Sequence, residues 1–323
     1  MTPSPLLAAV AIRQLSHCYP GARRTPPRTA LRGIDLRIDP GTFFVLTGPN
    51  GSGKSTLFRI LCGMARPSAG QIAIFGHDLL ADPHAARREM GVVFQRPALD
   101  RHLTVLENLR IHANLHHLSS ALFRQRLERL IAWSGLTNRL DERVETLSGG
   151  LARQTELVKV LLHEPRLLLL DEPTAGLDPG GRIAFLDTLQ RLQQEKKVTI
   201  LMTSHLFEEA QRADQVAILR QGRLLAMDAP ARLTERLGQE ILVVQGEGLE
   251  ELAQRFGQRA GVEVSLQENE LRIRGGDPLE WIRELLTGHR QRIRALAIKQ
   301  PTLEDFYIQM TGRAPQADEE SSP

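Results

Sequence analysis

Apolar and polar positions alternate between residues 8 and 48 with turn signals between the runs, the period-two signature of half-buried antiparallel strands. A Pro/Arg-rich stretch from Pro20 to Arg28 interrupts them and reads as a surface loop or hairpin tip. From Phe43 the pattern becomes strand (Phe43–Thr47), glycine loop, helix (Ser55–Cys62). Leu167–Leu170 and Val198–Met202 are unbroken apolar runs, as expected of strands covered by helices on both faces. Between Arg96 and Thr146 strand signals vanish, and helices are predicted over Val105–Leu118 and Ser120–Trp133. The first opens with Thr104-Val105-Leu106-Glu107, a spacing that lets hydroxyl and carboxylate each satisfy the other residue's backbone N–H. A helical insert in an α/β core accounts for this order.

After Leu237 the chain changes character. Strand Glu240–Val244, helix Leu249–Phe256, strands Val262–Leu266 and Glu270–Arg274, helix Pro278–Thr287 and strand Ile293–Ile298 follow in order. That is β-α-β-β-α-β, the ferredoxin-like arrangement of an α+β domain, and a short helix over Thr302–Met310 follows it. The predicted organisation is an α/β domain over 1–237 with a helical insert at about 96–147, a small domain over 238–311, and a polar, disordered tail over 312–323.

Length and composition narrow the classes. The 323 residues suit two domains, and 41% hydrophobic with 24% charged residues is ordinary for a chain with a real core. Aromatics make up only 4%, which argues against base stacking or aromatic cages as the main mode of binding. No apolar run approaches the roughly 20 residues that cross a bilayer, and the apolar stretch Leu6–Ile12 has no basic segment before it, so neither a membrane span nor a secretory signal is expected. Cys18 and Cys62 read as small buried hydrophobes in a reducing compartment. Net charge is +3 and nearly all cations are arginine, but they are interspersed with acids, which argues against a nucleic-acid partner.

The chemistry begins at Gly48-Pro49-Asn50-Gly51-Ser52-Gly53-Lys54-Ser55-Thr56, which follows a strand and opens a helix. Glycines let backbone N–H groups converge on one point, the helix end adds positive potential, and Lys54 can reach the β- and γ-phosphates. Ser55 is placed to ligate Mg2+. Leu167–Leu170 ends in Asp171 and Glu172: Asp171 suits the Mg2+ shell, and Glu172 suits a base that polarises water for in-line attack. Together these motifs make a nucleoside-triphosphate site.

Leu147-Ser148-Gly149-Gly150, Gln95 after a strand at Gly91–Phe94, Pro173 to Asp178, and Thr203-Ser204-His205 complete a series. In that order the chain resembles the ATP-binding cassette (ABC) ATPases over about residues 8–237. The resemblance implies a P-loop NTPase core with an antiparallel β subdomain, ATP and Mg2+ as ligands, and specific roles. Tyr19 would stack on adenine, and Gln95 would sense Mg2+ and water. Ser148, Gly149 and Gly150 would close on the γ-phosphate of a second copy, Asp178 would cross the dimer interface, and His205 would reach the γ-phosphate. It also implies a homodimer and a separate integral-membrane permease, contacted near Gln95, Leu99, Arg101 and the Thr104 helix. The chain would then be cytoplasmic and peripheral on the inner face of the membrane. Gln300 to Tyr307 is similar to the ending of ABC-2-type exporter ATPases, so a bacterial ABC-2-type exporter subunit is the leading expectation. Alternatives are an accessory ATPase for maturation of a periplasmic metalloenzyme and a soluble ATPase acting on ribosomes or nucleic acid.

Three readings depart from the pattern or stand outside it. Leu151-Ala152-Arg153-Gln154 replaces the more usual Gln or Met followed by a basic pair, so altered contacts are expected around the signature helix. His112 and His116 stand at i, i+4 with His117 beside them, a metal-capable spacing without a companion carboxylate or cysteine, and are expected to face solvent or pack. Glu208 and Glu209 read as a solvated first-turn pair.

Overall fold

In a computed structural model, which describes residues 8–21, 26–235, 237, 240–267 and 269–312, the alternating N-terminal segment forms β1 (Val10–Tyr19) and β2 (Arg28–Ile38). Residues 313–323 of the predicted tail 312–323, residues 1–7 and loop residues 22–25 lie outside the described residues, while Gly312 is described as the C-cap of the last helix. Val10, Ile12 and Leu15 of β1 and Leu31, Ile34, Leu36 and Ile38 of β2 are buried, as period-two burial demands. β3 (Phe43–Thr47) is buried throughout and runs into α1 (Lys54–Leu61). Then come β4 (Ala69–Ile74), β5 (His77–Asp78), α2 (Pro83–Arg88) and β6 (Met90–Val93). The helical insert follows as α3 (Val105–Leu115) and α4 (Ser120–Ser134), before the signature helix α5 (Gly149–Leu161). β7 (Leu167–Asp171), α6 (Pro179–Lys196), β8 (Thr199–Ser204), α7 (Phe207–Ala210), β9 (Gln215–Arg220) and β10 (Arg223–Asp228) complete this part, and α8 (Pro230–Glu235) follows.

Two sheets result. β2-β1-β4-β5 is antiparallel; β10-β9-β3-β8-β7-β6 is parallel apart from the β9–β10 pair. β4, β5, β9 and β10 were not foreseen, because short runs broken by glycine and charge carry little alternation. In the parallel sheet, β3, β6, β7 and β8 all end on the same edge, so the residues that follow them converge there. Thr104 and Glu107 form the predicted reciprocal cap: Glu107 N donates to Thr104 Oγ1 at 3.2 Å, and Thr104 N to Glu107 Oε2 at 2.8 Å. α3 stops at Leu115 rather than Leu118, and His117 turns into the left-handed region at φ 55°. Val105, Leu109, Phe123 and Leu127 of the insert pack in one core with Val158 and Leu162 of the α5 segment.

Among the described residues the chain divides into two compact units, 8–230 and 231–312. The second contains β11 (Ile241–Gly246), α9 (Glu250–Gly257), β12 (Glu263–Gln267), β13 (Glu270–Arg274), α10 (Pro278–Gly288), β14 (Ile293–Lys299) and α11 (Leu303–Thr311). Its strands pair antiparallel in the order β12-β13-β11-β14, the ferredoxin-like order expected of β-α-β-β-α-β. Leu242, Val244, Leu252, Phe256, Trp281 and Leu285 fill its core. Thr302 caps α11 reciprocally with Asp305, which also accepts a hydrogen bond from Arg272 at 2.7 Å.

Candidate functional site

The glycine loop is shaped by the chain around it. Gly48 and Gly53 sit at φ 142° and 113°, and a Cβ on either would fall 2.2 Å from the Leu219 carbonyl oxygen or 2.8 Å from that of Ala30. Only glycine fits. Gly53 caps α1 without a side-chain hydrogen bond, so the helix N-terminus keeps donors for an anion. Lys54 is buried, and its ammonium donates to the carbonyls of Gly48 at 2.6 Å and Pro49 at 3.0 Å. Thr47 Oγ1 and Ser52 Oγ are buried without a partner beside this loop. Tyr19, Asn50, Gly51, Gly53, Lys54, Ser55, Thr56 and Glu172 line one cavity of about 130 Å3, and the Tyr19 hydroxyl lies 3.2 Å from Thr56 Oγ1. These donors fit a polyphosphate.

Beside it, at the edge where the parallel strands end, stand the carboxylates. Thr203 on β8 donates to Asp171 Oδ1 at 2.6 Å, while the Glu172 backbone N–H donates to the same hydroxyl oxygen at 3.0 Å. Burial pushes the Asp171 carboxyl up, with Glu172 adding to the rise; the Thr203 bond and Lys54 oppose it. A buried, under-compensated carboxylate suits a hard divalent cation, with Ser55 and Gln95 as its neighbours by role. Glu172 itself sits at φ 41°, a strain of roughly 1–3 kcal/mol for a residue with a Cβ. That bend sends its carboxylate to Gln95, whose Nε2 donates to Oε2 at 3.1 Å, and to His205, whose Nδ1 is 3.5 Å from the same oxygen. Gln95, Glu172 and His205 therefore meet from three different strand ends.

Ser148, Gly149, Gly150 and Asp178 do not join them: none lines the phosphate-loop cavity. Ser148 caps α5 by accepting from the Leu151 N–H at 3.3 Å, and Asp178 caps α6 by accepting from Gly181 N–H at 3.2 Å. The departures after the signature prove structural. Arg153, buried, donates to the carbonyls of Phe94 at 2.6 Å and Gln95 at 2.5 Å and to Glu156 at 2.8 Å. Glu156 in turn accepts from Ala98 N–H at 2.7 Å, and Lys159 donates to the Ala98 carbonyl at 2.6 Å. One face of α5 thus grips the backbone around Gln95. Three charges at i, i+3 and i+6 on an otherwise apolar helix were the available signal, and sequence reasoning missed it.

The solvated pair expected at Glu208 and Glu209 needs correcting. Glu209 is buried and accepts from Thr174 and Ser204, each at 2.6 Å, tying the segment after Glu172 to the strand end before His205. Burial of a carboxylate with two hydroxyl donors overrides the general preference of acids for solvent. The cysteines are free and half-buried; burial, with Asp171 nearby, pushes the Cys62 thiol up to about 12.

A glycine loop opening α1, a strand-end carboxylate pair and a doubly wound parallel sheet define a P-loop nucleoside triphosphatase. Residues 31–175 match the family model described as ABC transporter. The chain belongs to the ABC transporter ATP-binding proteins and is an ATPase that binds ATP. Nod factor export ATP-binding protein I of Rhizobium sp. (strain N33) is 37% identical over 291 residues, 88% of this chain and 93% of that protein. Daunorubicin/doxorubicin resistance ATP-binding protein DrrA of Streptomyces peucetius is 32% identical over 321 residues, 97% of this chain and 95% of that one. Among solved structures, cbiO1 of Clostridium perfringens, part of the ABC transporter complex cbiONQ, superposes with a TM-score of 0.64 at 26% identity, covering 78% of this chain and 96% of that one. Among the described residues no helix is long and apolar enough to cross a membrane.

Proposed function

We propose that the chain is the ATP-hydrolysing subunit of a bacterial ABC-2-type exporter, acting as a pair of copies with a separate integral-membrane permease on the inner face of the membrane. The observation that carries this reading is that a resistance ATP-binding protein is matched over 97% of the chain, the C-terminal unit included, and not over the cassette alone. The Nod factor export relative and the α11 segment with its Thr302 cap support the same assignment.

The glycine loop and Lys54 hold the triphosphate, and Tyr19 meets the base. Ser55, Asp171 and Gln95 would hold Mg2+, which neutralises charge on the β- and γ-phosphate oxygens when bound. Glu172 polarises the attacking water, held in place by Gln95 and His205, and His205 also answers the γ-phosphate. Ser148 and the N–H groups of Gly149 and Gly150 supply donors to the nucleotide of the other copy, and Asp178 crosses between the two. Closure around two nucleotides would drive the permease, with the Gln95–Thr104 segment as the point of contact.

The test is affinity capture of the chain carrying Glu172→Gln, with ATP present, from gently solubilised native membranes. A stoichiometric polytopic membrane protein is expected, with the chain itself shifting to twice its mass by light scattering when ATP is added. Recovery only from the soluble fraction, bound to ribosomes or nucleic acid, would sink the exporter reading.

A further inference from the structure

The helical insert carries His112 and, one turn later, His116; the turn between α5 and β7 brings His163 against them. Each of the three offers an imidazole nitrogen, and these nitrogens lie within 4.8 Å of one another. The spacing of His112 and His116 alone lacked a third ligand, and the fold supplies one from 51 positions away. His163 Nε2 is 3.0 Å from the Met90 carbonyl, an oxygen that can only accept. Nε2 therefore carries the proton, and the Nδ1 lone pair faces His112 Nε2 at 3.3 Å. Two nitrogens bound at 2.0–2.1 Å to a tetrahedral ion stand about 3.3 Å apart, the separation found here. A backbone carbonyl fixing the tautomer and plane of a ligating imidazole is also the usual outer partner of a metal-bound histidine. His116, at the exposed end of the helix, stacks on His163 with centroids 4.0 Å apart and planes 6° from parallel, with one of its nitrogens within 4.8 Å of those of the other two.

We propose that His112, His116 and His163 bind one divalent ion of the zinc class, with water in the fourth position, and so pin the helical insert to the parallel sheet. Imidazole suits Zn2+, Ni2+ and Cu2+ rather than Mg2+, which separates this site from the nucleotide's own ion. The two cations nearby are engaged elsewhere, Lys159 by the Ala98 carbonyl and Arg126 by the Leu162 carbonyl and Glu164.

The experiment is calorimetric titration of ZnCl2 into the untagged full-length chain without nucleotide, with Co2+ absorption as a geometric readout. One ion per chain and the intense visible bands of tetrahedral Co2+ are expected. His163→Asn and His116→Gln should each weaken zinc by at least about 100-fold, since even outer partners of ligating histidines are worth roughly 10–100-fold. His77→Gln, outside the cluster, should leave affinity unchanged. His116 is exposed, so its variant keeps the test sound if the half-buried histidines prove necessary for folding. A wild type that binds no zinc, or a His116→Gln chain that binds it equally, would leave the cluster as a hydrogen-bonded stack and overturn the proposal.

Discussion

Two helix N-termini in this cassette use the same device in opposite settings. At α1 the glycines are dictated from within: Cβ atoms on Gly48 and Gly53 would run into backbone oxygens at 2.2 and 2.8 Å, and Lys54 is sealed beneath the loop. At α5 the glycines answer to almost nothing among the described residues. A Cβ on Gly149 would meet only Leu177, at 3.9 Å, and one on Gly150 would meet nothing within 4 Å. A helical glycine in open space sacrifices roughly 1 kcal/mol of helix propensity relative to alanine. Its presence points to a requirement outside the chain, as expected if α5 faces a nucleotide held by another copy. On the proposed reading, one end is a finished site and the other is half of one.

The largest effect expected is at the finished end. If Glu172 polarises the attacking water, Glu172→Gln removes that base while its side-chain oxygen can still accept from Gln95, and steady-state turnover should fall by about 10^2–10^4-fold. ATP affinity, measured by equilibrium binding to the same variant, should stay close to that of the wild type. Turnover within a few-fold of wild type would take the base role away from Glu172. Next is the link between the two ends. Arg153→Met leaves Glu156 buried without its guanidinium partner and frees the carbonyls of Phe94 and Gln95. A loss of about 3–5 kcal/mol is the usual consequence of breaking a buried pair from one side. Denaturant unfolding would show it, and a loss under about 1 kcal/mol would mean that the α5 grip on the Gln95 segment is ornamental.

How much of this was legible beforehand follows chain distance. The nine residues of the glycine loop, the Thr104–Glu107 cap and the β-α-β-β-α-β order were readable because their determinants are contiguous or periodic. Glu172 was readable as a carboxylate ending an apolar run, and Gln95 and His205 were named through family resemblance, yet their convergence depends on the strand order β8-β7-β6, which no local pattern specifies. Arg153, Glu209 and His163 escaped because a charged or imidazole side chain on a helix or turn looks like a solvent residue until its partner arrives. Their partners come from 58, 35 and 51 positions away.

A smaller effect tests the electrostatics of the finished end. Burial raises the Asp171 carboxyl above the usual carboxylate range, so the folded chain holds that proton more tightly than the unfolded one. Its contribution to stability is then fully present in acid below the unfolded value and is lost as pH rises through the folded one. Asp171→Asn should therefore raise Tm at neutral pH. The advantage should vanish as pH falls through the titration of Asp171, and Mg2+-dependent turnover should be lost. Equal melting temperatures at pH 7 would show that Thr203 and Lys54 fully compensate the burial.

The smallest change in stability belongs to the half-site, and it discriminates most sharply. Gly150→Ala places a methyl in space that is open in this chain, at a helical position outside the left-handed region. Judged by one chain alone, it should be an improvement: α5 gains about 0.5–1 kcal/mol from the smaller backbone entropy of the unfolded chain. If α5 instead docks its N–H groups onto a phosphate held by a second copy, the methyl stands between them. ATPase activity should then fall while ATP binding to the monomer is untouched. A variant that is both more stable and fully active would mean that Gly150 serves no partner. A variant that is more stable yet unable to turn over ATP would place the reason for the open glycine across an interface.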